Sequence, residues 1–107
     1  MRNRSDFATL REQGRRCTGR FVVLNALDRP RQARKFGVVT ARSLGSAVTR
    51  NHARRWLREI YRKHKHQLKP NFSIVVVARQ ALSRASYHDL QTELLDLFAK
   101  AGALTPL

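Results

Sequence analysis

Apolar residues change their period repeatedly along this chain, and each change marks an element. Phe7 and Leu10 share one side of a turn behind Ser5, and Gly14 follows. That predicts a short helix over Asp6–Gln13, capped by Ser5 and stopped by the glycine. Arg15–Cys17 and Phe21–Leu27 flank Thr18-Gly19-Arg20, so a short strand turns into a longer one. After the polar loop Asp28–Ala33, Lys35–Ala41 reads as a third strand, rich in β-branched residues. Ser43-Leu44-Gly45-Ser46 closes it and opens a long helix over about 47–67. Pro70-Asn71 breaks the chain before Phe72–Arg79, whose continuous apolar run suits a central strand. Ser86, with Asp89 three positions on, resembles a capping box. The helix behind it shows Leu90, Leu94, Leu97, Phe98 and Ala101, then Gly102. The order α-β-β-β-α-β-α predicts one α+β domain over 1–107, with helices packed on a small four-stranded sheet.

The long helix has two distinct sides. At about 100° per residue, Ala53, Trp56, Leu57, Ile60 and Tyr61 gather on one side. Arg50, Arg54, Arg55, Arg58 and Arg62 gather on a neighbouring side, with Asn51 among them. Like charges four apart repel, and Glu59 is the sole acid between Arg50 and Lys69. A solvated helix usually alternates signs; this one instead suits a ligand that supplies the negative charge. Asn51 reads equally well as part of this face and as a residue near a helix start.

Charge over the whole chain points the same way. Lys+Arg number 22 against 7 Asp+Glu, a formal net charge of +15. The hydrophobic fraction is 42%, enough for a core, so the basicity does not signal disorder. Such an excess favours a dense polyanion, and nucleic acid gains affinity from counterion release. No apolar run approaches the roughly 20 residues that span a bilayer, and the start of the chain lacks the apolar segment of a secretory signal. No membrane partner is expected, and a reduced, cytoplasmic protein is. Cys17 is the only cysteine, which excludes an intramolecular disulfide and a cysteine-based metal site.

Protein-borne catalysis finds little support. His64 and His66 cannot share a helix face at i,i+2, His52 projects away from the arginine side, and His88 stands alone. Neither an HExxH pattern nor a carboxylate constellation accompanies them. Phe21, Phe36, Phe72 and Phe98 read as core. Phe7, on a short terminal helix, could border a groove instead.

The run from Gly37 to Arg62 resembles the signature of the bacterial ribonuclease P protein component. The residues that match are Gly37-Val38, Gly45-Ser46-Ala47-Val48 and Arg50-Asn51-His52-Ala53-Arg54-Arg55-Trp56-Leu57-Arg58-Glu59. Asp6-Phe7 and Gly14, Phe21 to Leu24, and Val76-Val77-Ala78-Arg79 extend the likeness over nearly the whole chain. The resemblance implies a two-layer sandwich with a mixed sheet and a left-handed βαβ crossover, an exception to the usual handedness. It implies an endoribonuclease subunit that helps remove the 5′ leader from precursor tRNA. The active site and its Mg²⁺ ions would belong to the RNA subunit, with no catalytic or metal-binding residue in the protein.

By position, the resemblance assigns Arg50, Asn51, Arg54, Arg55 and Arg58 to a helix facing the catalytic RNA. Arg62 continues that face, and Phe7 falls at the aromatic position lining a leader cleft. His52 belongs to the same RNA-binding set, where it replaces the usual Arg of the motif and makes that contact weaker or pH-dependent. Ala41 stands where Lys is common, with Arg42 beside it as a substitute. Arg11 and Asn25 occupy places often aromatic in relatives, which favours polar over stacking contacts with the leader. The expected partners are ribonuclease P RNA and precursor tRNA. The alternatives are a basic ribosomal or other structural RNA-binding protein without a processing role and, more weakly, a DNA-binding module. A groove-reading helix would expose its basic face from an N-terminal position, whereas this one is patterned to dock along its whole length, so no DNA partner is expected.

Overall fold

The computed structural model describes residues 4–105 apart from positions 31 and 33, with side chains of 4–7 also outside the described residues. The elements run α1 (Arg4–Gln13), β1 (Arg15–Thr18), β2 (Val22–Asp28), β3 (Lys35–Val39), α2 (Ala47–His64), β4 (Phe72–Ala78) and α3 (Tyr87–Lys100). Short 3₁₀ segments precede α2, follow it and precede α3. The predicted order holds, and the differences lie at the ends. α1 begins before Ser5, which therefore sits inside the first turn and does not cap it. β3 stops at Val39, because Arg42–Leu44 already winds into a 3₁₀ turn. α2 ends at His64 and tightens into a 3₁₀ turn over Lys65–Gln67.

Four strands form one mixed sheet in the order β1-β2-β4-β3. β1 and β2 form an antiparallel hairpin, and β2 pairs antiparallel with β4. β3 pairs parallel with β4, so α2 is the crossover of a βαβ unit. β4 is thus central and buried along most of its length, as its unbroken apolar run requires.

Alternation divides the buried side chains between the two sheet faces. Val22, Leu24 and Ala26 of β2 join Phe72, Ile74 and Val76 of β4 in the main core, under Ala53, Leu57 and Ile60 of α2 and Leu90, Leu94, Leu97 and Phe98 of α3. Val23 and Val75, pointing the other way, are also buried. α1 lies against β2 and β4, and its Leu10 is buried outside the main core. The sheet therefore has α2 and α3 on one face and α1 over part of the other. Gly14 ends α1 where space is scarce. A side chain there would collide with the carbonyl oxygens of Leu10 and Ala26, so the turn into β1 needs a glycine.

Caps set the two long helices. Ser46 Oγ accepts the Thr49 N–H at 3.3 Å, and Ser86 Oγ accepts that of Asp89 at 3.0 Å. The tail folds back, with Leu68 and Leu104 forming an antiparallel bridge.

One carboxylate joins α3 to the hairpin. Glu93 accepts the backbone N–H groups of Arg20, Phe21 and Val22 at 2.7, 2.8 and 3.1 Å. The close approach explains Gly19, since a Cβ there would lie 2.5 Å from the Glu93 carboxyl carbon. Replacing Glu93 by Ala strands three donors at the turn, and we expect a stability loss of about 2 kcal/mol in urea denaturation, with Glu93→Gln losing less.

On the β3 side, Tyr61 stacks on Phe36 with ring centroids 4.0 Å apart. Burial raises the Tyr61 phenol above its ordinary 10.0, and the Arg34 guanidinium partly offsets this. A phenol held protonated in the folded state stabilises fully below the unfolded value and loses that contribution as pH climbs through the folded one. Stability should therefore fall above pH 10.0, and Tyr61→Phe should remove that part of the decline in a pH series of melts.

Candidate nucleic-acid interface

The surface that matters is the side of α2 left uncovered when its apolar stripe docks. Ala53, Leu57 and Ile60 are at most 1% exposed, which fixes the rotation of the helix about its axis. Trp56 then borders α3, where it meets Tyr87 edge-on at 5.4 Å, and Tyr61 borders β3 through Phe36. The arginines emerge on the Tyr61 side and round to solvent.

Asn51, Arg54, Arg55, Arg58, Glu59 and Arg62 line one open groove of about 710 Å³. Arg54 Nη1 donates to Asn51 Oδ1 at 2.9 Å, so the asparagine steers one guanidinium within the groove. This gives Asn51 a place in the face, where its sequence left two readings open. Arg55, Arg58 and Arg62 have no hydrogen-bond or salt-bridge partner among the described residues.

Other arginines are used differently. Arg15 Nη1 donates to the Lys100 carbonyl at 3.1 Å, Arg34 Nη1 to that of Lys65 at 2.6 Å, and Arg79 Nη1 to that of Gly19 at 2.6 Å. Those guanidinium groups tie loops and helix ends together. In the groove, Arg54 commits one donor to Asn51, while Arg55, Arg58 and Arg62 keep theirs free, which is the state a phosphate-binding fork needs.

Not every residue of the predicted face reaches the groove. Arg50 is half-buried at the inner edge of the stripe, and its Nε is buried without a partner. Arg42 is exposed in the 3₁₀ turn before α2, outside the groove lining. His52 lies on the opposite flank, its ring 4.3 Å from that of Trp56. It therefore contributes to a different surface from the one built by Arg54 and Arg58.

The proposed leader positions lie on the α1 side of the sheet. Asn25 is half-buried on β2, with Val75 as its β4 neighbour and Arg16 as its β1 neighbour. Opposite residues of paired strands project to the same face, so Arg16 joins Asn25 there. Arg16 carries no signal of this in the sequence, because β1 is too short for its alternation to be read without a partner strand. Arg11 is exposed on α1. Phe7 falls in α1, but its side chain is outside the described residues.

Sequence and fold comparisons give the same family. A family model for ribonuclease P matches residues 1–102. The chain belongs to the bacterial ribonuclease P protein family. The ribonuclease P protein component of Syntrophomonas wolfei is 30% identical over 102 residues, covering 95% of this chain and 86% of that one. That of Thermotoga maritima is 35% identical over 108 residues, covering 94% and 89%. The solved ribonuclease P protein of T. maritima matches with a TM-score of 0.83 at 30% identity, over 94% of each chain. The Staphylococcus aureus ribonuclease P protein shares the fold, with a TM-score of 0.89 over 98% of this chain and 96% of that one at 24% identity.

Membership makes this chain a protein component of the ribonuclease P ribonucleoprotein, with ribonuclease P RNA as its partner and tRNA 5′ processing as its role. The comparisons lend no support to a structural RNA-binding protein without a processing role. Among the described residues, no helix is long and apolar enough to cross a membrane. Arg54→Ala and Arg58→Ala should each weaken binding to ribonuclease P RNA and reduce the slope of log K against log salt by about 1. Unchanged slopes in a filter-binding series would remove both residues from the phosphate contacts.

Proposed function

We propose that the protein neutralises and positions RNA in the holoenzyme while the RNA subunit performs the cleavage of precursor tRNA. The observation behind this reading is the α2 groove, which Arg54, Arg55, Arg58 and Arg62 line together with Asn51 and a single acid, Glu59. A docked helix presents its guanidinium groups from fixed backbone positions, so only the arginine side chains are ordered when phosphates bind. On the α1 side of the sheet, Phe7, Arg11 and Asn25 supply the leader contact, with Arg16 added beside Asn25.

The described residues offer no all-protein cage for the Mg²⁺ that the resemblance implies. No group of three or more His, Cys, Asp or Glu side chains stands together among them. We assign the ion to the RNA subunit, and the protein's own part is binding, orientation and charge neutralisation. Its repulsive cations favour the assembled state, because each phosphate that enters the groove relieves like-charge contact along α2.

Cleavage of precursor tRNA by RNA alone, protein alone and the two together tests the reading. Protein alone should leave the substrate intact, and its addition should lower the substrate or Mg²⁺ concentration that the RNA requires. Cutting at the mature 5′ end by protein alone would move the chemistry into this chain.

A further inference from the structure

The flank of α2 that faces away from the arginine groove carries a different kind of side chain. Val48, His52 and Trp56 stand at i, i+4 and i+8, so they follow one another on successive turns. Val48 is 78% exposed, the one large apolar side chain left so open among the described residues. His52 is also exposed, and its ring leans on Trp56 at 4.3 Å and 53°. Trp56 is half-buried and meets Tyr87 edge-on at 5.4 Å. The row therefore slopes from open solvent into the crevice between α2 and α3. Lys63 closes its far end, with Nζ 5.5 Å from the centre of the Tyr87 ring. The open aromatic surface is thus the His52 end.

One exposed valine is ordinary. An exposed valine in line with an exposed imidazole that is tilted against an indole leaves one ring face of His52 open beside an apolar side chain. Arg55 stands one turn from His52 and borders both this row and the groove. Glu59, the only acid of α2, lies a turn beyond Trp56, away from the open end. A peptide occupant would need a continuous apolar groove, and this row offers one open apolar side chain, Val48. A nucleobase needs a ring face and a nearby cation for its phosphate, and both are present.

We infer that Val48, His52 and Trp56 form a stacking step for an unpaired base of single-stranded RNA, with the Arg55 guanidinium on the adjoining phosphate. The inference rests on the RNA-binding role proposed above. It adds a contact that responds to bases as well as to charge, on a flank that the groove does not reach.

Trp56 is the only tryptophan of the chain, so its emission reports the row directly. The full-length protein is titrated with a short oligoadenylate and with an abasic ribose-phosphate oligomer of the same length. Anisotropy of labelled oligomers follows binding, and tryptophan emission with unlabelled ones follows the row. Oligoadenylate should quench Trp56, while the abasic oligomer should bind through the groove without quenching. His52→Ala should lower oligoadenylate affinity by about five- to ten-fold and leave the abasic oligomer unaffected. Equal quenching by both oligomers, or equal loss of affinity for both, would overturn the stacking step and leave the groove's role intact. Binding of neither would overturn the RNA-binding reading and the stacking step together.

Discussion

Everything on the surface of this protein depends on the burial of one helical stripe. Leu57 and Ile60 are fully buried against the sheet and α3, and Ala53 fits beside them. Complete burial of one such Leu or Ile side chain stabilises by about 1.5–3 kcal/mol. Opposing it are like-charge pairs four apart, Arg50 with Arg54, Arg54 with Arg58 and Arg58 with Arg62, each costing on the order of 0.2–0.5 kcal/mol. Burial wins by a clear margin, so the helix holds its rotation and the backbone positions that carry the arginines cannot turn away from one another. Repulsion that the fold can sustain becomes attraction for a polyanion.

The second constraint is where cations are allowed to find partners within the chain. Arg15, Arg34 and Arg79 donate to backbone carbonyls and are absorbed by the architecture. Glu93, in a chain with few acids, is committed to three backbone N–H groups at the β1–β2 turn. Carboxylates used this way are not available to neutralise α2. The scarcity of acids and the commitment of Glu93 both leave the groove charged.

Much of this was legible in the sequence because periodicity reports burial directly. The stripe Ala53, Leu57 and Ile60, the central character of Phe72–Ala78 and the Ser86 cap all follow from local spacing. What was hidden depends on partners distant in sequence. Glu93 reads as an ordinary helix acid until the hairpin turn is brought to it from about 70 positions away. Arg16 looks like one more surface charge until strand register sets it beside Asn25. Arg50 shares the arginine spacing, yet its Nε is buried, because the groove wraps a little further round the helix than the spacing alone suggests. The place of His52, by contrast, was legible from spacing: it projects away from the arginine side, and its ring lies against Trp56, which packs on α3.

The strand order has a consequence for the birth of the protein on the ribosome. β1 and β2 can pair as soon as they emerge, but β3 has a single sheet neighbour, β4, which comes later in the chain. Until Phe72–Ala78 has been synthesised, α2 has no completed surface on which to bury its stripe, and its arginines point in no fixed direction. A nascent or prematurely terminated chain that stops short of β4 holds the same basic residues without their arrangement. Placing the central strand after the cationic helix thus makes rigid display of charge a property of chains that have translated past it.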